Sequence, residues 1–155
     1  MNMLTALALS IGVLIAIWTY LAVAVVPQLS VWAGIVAWGC FFAAGGKAQG
    51  FQKTAFANLS GLIYVFLVMQ ILPALGGGTP VLALLVGVIA FLMVMQSKLP
   101  ALSFIPGAFI GAAVTVGSAP ADINRYVMVA LSLVIGAVLG YVSEAMAGAI
   151  KGKAA

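Results

Sequence analysis

The chain has 155 residues, of which 66% are hydrophobic and only 5% are charged, with a mean hydropathy of +1.32. Soluble domains carry about 25% charged residues, so this composition excludes one and predicts an all-α integral membrane protein. With no His, one Cys and two acidic residues, the sequence also excludes a soft-metal centre, a Cys–His nucleophile and an internal disulfide. We therefore expect no enzyme activity, no metal and no cofactor.

The first half of the chain predicts three spans, at 3–26, 29–46 and 55–75. The first is uncharged, is too long for a signal-peptide core and is not preceded by Lys or Arg, so we interpret it as a span. It also meets the roughly 20 helical residues that a bilayer requires. Pro27 and Gln28 predict the turn after it, and the basic stretch 45–53 predicts the loop before the third span.

The second half predicts three more spans, at 81–96, 102–118 and 126–147. The middle one, span five, would be only about 26 Å long at the rise of an α-helix. It contains Pro106, which has no backbone N–H and would leave the carbonyl of Leu102 without a helical partner. We expect span five to be short or broken at Pro106.

Lysine residues mark one side of the predicted membrane. With six spans, every lysine falls on one side, and only Arg125, beside Asp122, falls on the other. Cytoplasmic loops are enriched in positive charge, so both termini are expected in the cytoplasm. The same pattern favours a topological role for these charges over nucleic-acid binding. The lysines are Lys47, Lys53, Lys98, Lys151 and Lys153.

Glu144 is the one acidic residue within a predicted span. Carboxylates inside a membrane are often functional, which makes Glu144 a possible coupling acid. It lies near the cytoplasmic end, with Lys151 close by in the sequence. An interfacial ion pair is therefore the preferred interpretation.

Similar short patterns recur about 75 residues apart along the chain. The halves 1–78 and 79–155 would each contain three spans, an odd number, so the second half must enter the membrane in the opposite orientation. We predict one membrane domain built as an inverted repeat of three plus three spans, which is typical of channels and secondary transporters. The matching residues are Leu7–Leu9 with Leu82–Leu84, Ser30 with Ser103, Gly34 with Gly107, and Gly61 with Gly136.

Span five carries a small residue at every fourth position, and on a helix these residues form one face. They are Ser103, Gly107, Gly111 and Thr115. At the positions that match the last two, span two carries Trp38 and Phe42. The two faces could wall a narrow solute path, or the aromatic rings could simply pack into the glycine notch. The path hypothesis also includes Pro106 and, as a further polar contact, Asn58.

Four glycines are predicted to mediate helix packing: Gly34, Gly61, Gly136 and Gly140. Glycines spaced in this way let two helix backbones approach closely. In span six the spacing continues from Ser132 through two glycines to Glu144, which gives a second face of small residues. Two extended faces in neighbouring spans are stronger evidence for close packing than one isolated pair.

The run Ser103–Ala112, read as SFIPGAFIGA, resembles the S-F-[IV]-P-G-x-F-I-G-A signature of a family of small bacterial inner-membrane proteins, domain-of-unknown-function family 1097. Ser30–Gly34 is similar to the start of that family's second span, with Val31 as an insertion. The resemblance covers nearly the whole chain and implies a bacterial inner-membrane location. It implies no substrate.

The favoured function is a channel or facilitator for a small, neutral, polar solute such as urea, a short amide or water. An ion channel usually shows rings of charge or a carbonyl filter, and a proton-coupled pump shows a relay of ionisable groups. Neither is visible in this sequence. A secondary transporter of a small metabolite and a non-transporting accessory protein are the alternatives. The expected partners are the lipid bilayer, the solute and further copies of the chain in a homo-oligomer.

Overall fold

The structure, a computed structural model, describes residues 2–151, and nearly all of this stretch is helical. The prediction of an all-α protein is confirmed for these residues, while Lys153 lies outside them. The helices are α1 (Met3–Tyr20), α2 (Val31–Ala43), α3 (Lys47–Ala74), α4 (Thr79–Met95), α5 (Ile105–Ser118) and α6 (Ile123–Ile150). A π-helical turn, Leu21–Val25, continues α1, and two short 3-10 turns, Gln96–Lys98 and Pro100–Leu102, separate α4 from α5.

Four of these helices are long and apolar enough to cross a membrane: α1 with its π-turn, α3, α4 with its 3-10 turn, and α6. The other two are shorter, with 13 residues in α2 and 14 in α5. A helix of that length covers about 20 Å, whereas the hydrocarbon core of a bilayer is about 30 Å thick. The order of lengths is therefore long, short, long in each half of the chain.

The basic stretch 45–53, which was expected to be a loop, is helical from Lys47 onwards. The turn before α3 is made by Gly45 and Gly46, both with positive φ, a conformation that glycine adopts at little cost. The carboxylate of Glu144 then accepts the backbone N–H of Lys47 at 2.6 Å and caps the new helix. Because that partner is far away in the sequence, local composition could not reveal the early start of α3.

Of the two alternatives for span five, a short helix and a helix broken at Pro106, the structure shows the short one. The helix begins at Ile105, and Pro106 occupies its first turn, where a backbone N–H has no intrahelical partner in any case. Leu102 ends the preceding 3-10 turn and is not an acceptor within α5. Ser103 also precedes the helix, and its hydroxyl donates to the carbonyl of Pro100 at 2.8 Å. It is therefore not part of the helical face that begins at Gly107.

The core of the molecule consists of α2, α3, α5 and α6. The closest helix pairs are α3 with α5 and α2 with α6, and the long helices α3 and α6 also contact each other. On the outside, α1 packs mainly on α6, and α4 packs mainly on α3. In the most apolar 18-residue stretch of each helix, only 17% of α1 and 11% of α4 is buried inside the protein. Such low burial suits helices that face lipid.

Candidate functional site

The small face of α5 packs directly on α3. A Cβ atom added to Gly111 would collide with the backbone of Asn58, and one added to Gly61 would collide with the backbone of Ala108. Gly107 lies under the ring of Phe104 and against Ala57. The hydroxyl of Thr115 is buried and donates to the carbonyl of Gly111 in its own helix at 2.8 Å. These contacts serve helix packing, and the role of the face as a solute path remains a prediction.

The second small face runs along α6 and holds α2. The hydroxyl of Ser132 accepts the backbone N–H of Ser30 at 2.8 Å. A Cβ atom on Gly136 would collide with the backbone of Gly34, and one on Gly140 would lie 2.6 Å from the ring of Phe41. Four consecutive positions of this face, ending at Glu144, thus fasten α2 and the start of α3.

Hydrogen bonds fix the two buried tryptophans, Trp18 and Trp38. The indole N–H of Trp38 donates to the hydroxyl of Ser143 at 3.1 Å, and the indole N–H of Trp18 donates to the carbonyl of Val31 at 3.0 Å. The hydroxyl of Ser10 in α1 donates to the carbonyl of Ser143 at 2.9 Å. Trp38 is only 3% exposed and therefore packs as a core residue between α2 and α6.

Phe42 differs from Trp38 in its surroundings. It is half-buried, and its ring meets the ring of Phe41 edge-on, with 5.1 Å between the centroids. The glycine notch of α5 is filled by α3, so these aromatic rings are not what fills it. The sequence-based alternative, in which the rings of span two pack into that notch, is therefore wrong.

A pair of polar side chains lies in the centre of the core without hydrogen-bond partners. Asn58 and Thr54 stand one turn apart on α3, and both are 0% exposed. Neither the amide nitrogen nor the amide oxygen of Asn58, nor the hydroxyl of Thr54, has a partner among the described residues. The buried thiol of Cys40 in α2 lies beside the Asn58 side chain, but the two do not meet in hydrogen-bond geometry. We call Cys40, Thr54 and Asn58 the central polar cluster.

A cavity of about 420 Å³ opens at the end of the molecule that carries Arg125. It lies between the start of α2, the end of α5 and the start of α6, and we call it the Arg125 vestibule. The hydroxyl oxygen of Ser118, on its wall, is buried and has no partner among the described residues. The vestibule is also lined by Gln28, Ser30, Trp32, Arg125 and Val129.

Apolar side chains separate the vestibule from the central polar cluster. Val129 lines the vestibule and also belongs to a buried group with Ala33, Ala37, Val114 and Leu133. Along α2 the order is Ser30 at the vestibule, then the two alanines, then Cys40 beside Asn58. The vestibule is thus closed at its inner end in this conformation.

The sequence indicated most of these features, but it did not reveal the vestibule or the role of Thr54. Thr54 lies outside the span predicted at 55–75, so the fourfold spacing from Thr54 to Asn58 could not be recognised as one helical face. Arg125 was interpreted only as a topological charge. Its proximity to Ser30 and Ser118 depends on the packing of three helices, for which the sequence carries no local signal.

The fold, the composition and the four long apolar helices define a multi-helix integral membrane protein. The family model described as "Protein of unknown function (DUF1097)" matches residues 8–148, so the chain belongs to that family, as the resemblance indicated.

Proteins similar to this chain include the inner membrane protein YcdZ of Escherichia coli K12, which is 34% identical over 91% of this chain and 83% of that protein. YcdZ of Salmonella typhimurium LT2 is also 34% identical, over 91% of this chain and 85% of its own length. The uncharacterized protein YahC of E. coli K12 is 28% identical, over 93% and 90% of the two chains. No solved structure matches the chain.

Proposed function

We propose that this protein is a gated facilitator of the bacterial inner membrane for a small, neutral, polar solute of the urea, short-amide or water class. The observation that carries the proposal is the central polar cluster. A buried polar group without a partner costs about 1–3 kcal/mol, and Asn58 and Thr54 leave three such atoms in the core. A solute with both donors and acceptors would satisfy the amide and the hydroxyl at once.

The lack of charge at this depth supports a neutral solute. Thr54, Asn58 and Cys40 carry no formal charge at neutral pH, and the group that separates them from the vestibule is apolar. An ion would lose its hydration here without gaining an opposite charge, at a large cost in free energy. A neutral amide or urea would exchange its bonds with water for bonds to Asn58.

An inverted repeat of three plus three helices is part of the proposal. Its first support is the order of helix lengths: 18, 13 and 28 residues in α1 to α3, then 17, 14 and 28 in α4 to α6. Its second support is a pair of corresponding contacts. Gly61 touches the backbone of Ala108, and Gly136, which lies 75 positions after Gly61, touches the backbone of Gly34.

The closed inner end of the vestibule favours a second candidate, a secondary transporter. A solute can pass Val129 and Leu133 only after the surrounding helices move, and alternating access requires such a movement. In this version Asn58 binds the solute and Glu144 is the possible coupling group. A homo-oligomer is also proposed, because a single bundle of six helices encloses little volume. A purely structural role is the alternative that a lack of flux would favour.

The proposed orientation has both termini in the cytoplasm and Arg125 outside it, in line with the lysine distribution. Topology reporters fused after Lys153 and inserted beside Arg125 provide the measurement. We expect a cytoplasm-active reporter to work at the first site and a periplasm-active one at the second. The reverse pattern would overturn the orientation.

The solute proposal is tested by uptake of urea and acetamide into proteoliposomes, with osmotic swelling measured in parallel. We expect Asn58→Leu to abolish flux and yet leave thermal stability equal or higher, because leucine removes an unpaired buried amide. A merely structural Asn58 would show the opposite: lower stability and unchanged flux per folded protein.

The matched control is Ser60→Ala on the same helix. The hydroxyl of Ser60 is already partnered, since it donates to Ala57 and accepts from Gln96. This variant should conduct like the wild type. If the wild-type protein carries no more of any of these solutes than empty liposomes, the facilitator proposal fails.

A further inference from the structure

We propose that the Arg125 vestibule is a binding site for a small monocarboxylate. This inference goes beyond the proposed facilitator function, because it concerns a surface cavity outside the closed core and needs no passage of solute. The cavity combines a guanidinium group, the first turn of a helix, an unpartnered hydroxyl and an apolar wall. Each of these contributes a different part of the recognition.

The first contribution comes from the start of α2. The backbone N–H groups in the first turn of a helix have no intrahelical partners and favour an anion. No side chain caps α2, since Ser30 makes no capping hydrogen bond and its own backbone N–H is taken by Ser132. Leu29, Ser30 and Val31 all line the vestibule, so the uncapped turn borders the cavity.

Arg125 supplies the charge. Its backbone N–H is bound by the side chain of Asp122, which caps α6 at 2.9 Å. The guanidinium makes only a long contact of 3.5 Å, from Nη1 to the carbonyl of Gln28. Most of its five N–H donors therefore stay available, and their planar arrangement matches a carboxylate with two parallel hydrogen bonds. One lining cation suits a monoanion better than a phosphate dianion.

Ser118 and the apolar wall complete the site. Ser118 is a half-buried residue of the wall whose hydroxyl has no partner among the described residues, so a rotation about its χ1 would let it donate to a carboxylate oxygen. Trp32 and Val129 offer apolar surface for a short alkyl group, and the indole ring of Trp32 lies against Gly117. The ligand class that fits is a small organic acid in its ionised form, such as acetate or propionate.

The test is calorimetric titration of the purified, detergent-solubilised full chain with acetate. Acetamide, which has nearly the same shape but no charge, serves as the matched ligand control. We expect acetate to bind and acetamide to bind at least about tenfold more weakly, because a charged hydrogen bond is worth more than a neutral one. R125Q should weaken acetate binding by about tenfold or more, and R125K by less, since lysine keeps the charge but loses the planar fork.

Two further variants separate this site from general anion attraction. S118A should weaken acetate binding by a few-fold, whereas K98Q, which removes a cation at the opposite end of the molecule, should leave it unchanged. Chloride or inorganic phosphate that competes as well as propionate would overturn the assignment to a carboxylate. Equal acetate affinity of the wild type and a folded R125Q would overturn the site itself.

These outcomes are independent of solute flux. Asn58→Leu should stop acetamide flux in proteoliposomes and leave acetate binding at the vestibule unchanged. If acetate binds through Arg125 but no neutral solute is conducted, the vestibule site stands and the facilitator proposal falls. Conduction of acetamide without any binding of acetate would support the facilitator and overturn the vestibule site.

Discussion

The pair α2–α6 and the pair α3–α5 are built in the same way but differ in their chemistry. In each pair a glycine of the long helix touches the backbone of the short one: Gly136 on Gly34, and Gly61 on Ala108. On α6 the polar residues of the same face are satisfied: Ser132 accepts the N–H of Ser30 before α2, and Glu144 accepts the N–H of Lys47 at the start of α3. In α3–α5 the corresponding region contains Asn58, whose amide has no partner among the described residues.

The difference is sharpest at two matched positions. Seventy-five residues after Thr54 and Asn58 stand Val129 and Leu133, and both of these are packed in an apolar group. Helix α6 thus has buried apolar residues at the positions where α3 has unpaired polar ones. Since the apolar choice suffices for packing, the polar choice in α3 needs another reason. Our interpretation is that α2–α6 is the scaffold and α3–α5 is the functional half.

The largest expected effect comes from breaking either glycine contact. Gly136→Leu and Gly61→Leu should both prevent folding, because the new side chain would collide with backbone atoms that cannot move aside. Yield of monodisperse protein and its thermal stability are the measurements. If the two pairs are built alike, the two variants should fail to a similar extent.

The control for that comparison lies on the same helix as Gly136. A Cβ atom added to Gly148 meets nothing within 4 Å, so Gly148→Leu should be tolerated. Normal folding of Gly136→Leu would show that α2 and α6 can separate without loss of the fold, which would contradict their close packing.

The sequence predicted these glycine contacts better than it predicted the polar groups. A small residue at every fourth position has one clear use on a helix, and Gly61, Gly111 and Gly136 all lie where backbones touch. Helix ends were harder to predict from the sequence. The start of α3, for example, depends on Glu144, which lies 97 positions away from Lys47. A break at Pro106 stayed open as an alternative because proline lacks a backbone N–H wherever it stands. That lack costs a hydrogen bond inside a helix but none in the first turn, and the sequence alone did not show where α5 begins.

The residues of the candidate site also differ in how well the sequence predicted them. Asn58 could be named as a polar residue within a span, but its lack of a partner depends on what α2 and α5 bring near it. The Arg125 vestibule depends on three helix ends that are distant in the sequence. Chemistry that resides in one helix was predictable, whereas chemistry that depends on the meeting of several helices was not.

The second-largest expected effect is on stability, and it tests the contrast between Leu133 and Asn58. Leu133→Asn places an amide in the apolar group of the scaffold pair, where Leu133 is 1% exposed. We expect a loss of about 2–5 kcal/mol in the free energy of unfolding, from the lost apolar burial and the unpaired amide. Chemical denaturation in mild detergent measures it. Asn58→Leu, the reverse exchange, should change stability in the opposite direction.

If both exchanges destabilise the protein equally, the two positions are equally constrained by packing, and Asn58 no longer needs a functional explanation. If Leu133→Asn is tolerated without loss, the apolar group is loose enough to hold an amide. That result would contradict the interpretation of α2–α6 as the rigid half.

The smallest expected effect concerns Glu144, where the scaffold pair meets the start of α3. Its carboxylate accepts the N–H of Lys47 and lies close to Gly46, at the positive end of the α3 dipole. Glu144→Gln keeps an acceptor oxygen but removes the charge, so it should lower the free energy of unfolding by about 0.5–1 kcal/mol, and Glu144→Ala should lower it by about 1–2 kcal/mol.

Because Glu144 lies at the end of a helix and not in the central polar cluster, flux per folded protein should stay near the wild-type level in both variants. Stability curves and solute uptake measured on the same preparations check the two expectations together. Glu144→Gln with normal stability but no flux would instead identify this carboxylate as a coupling group, and the secondary transporter would then replace the facilitator as the better description.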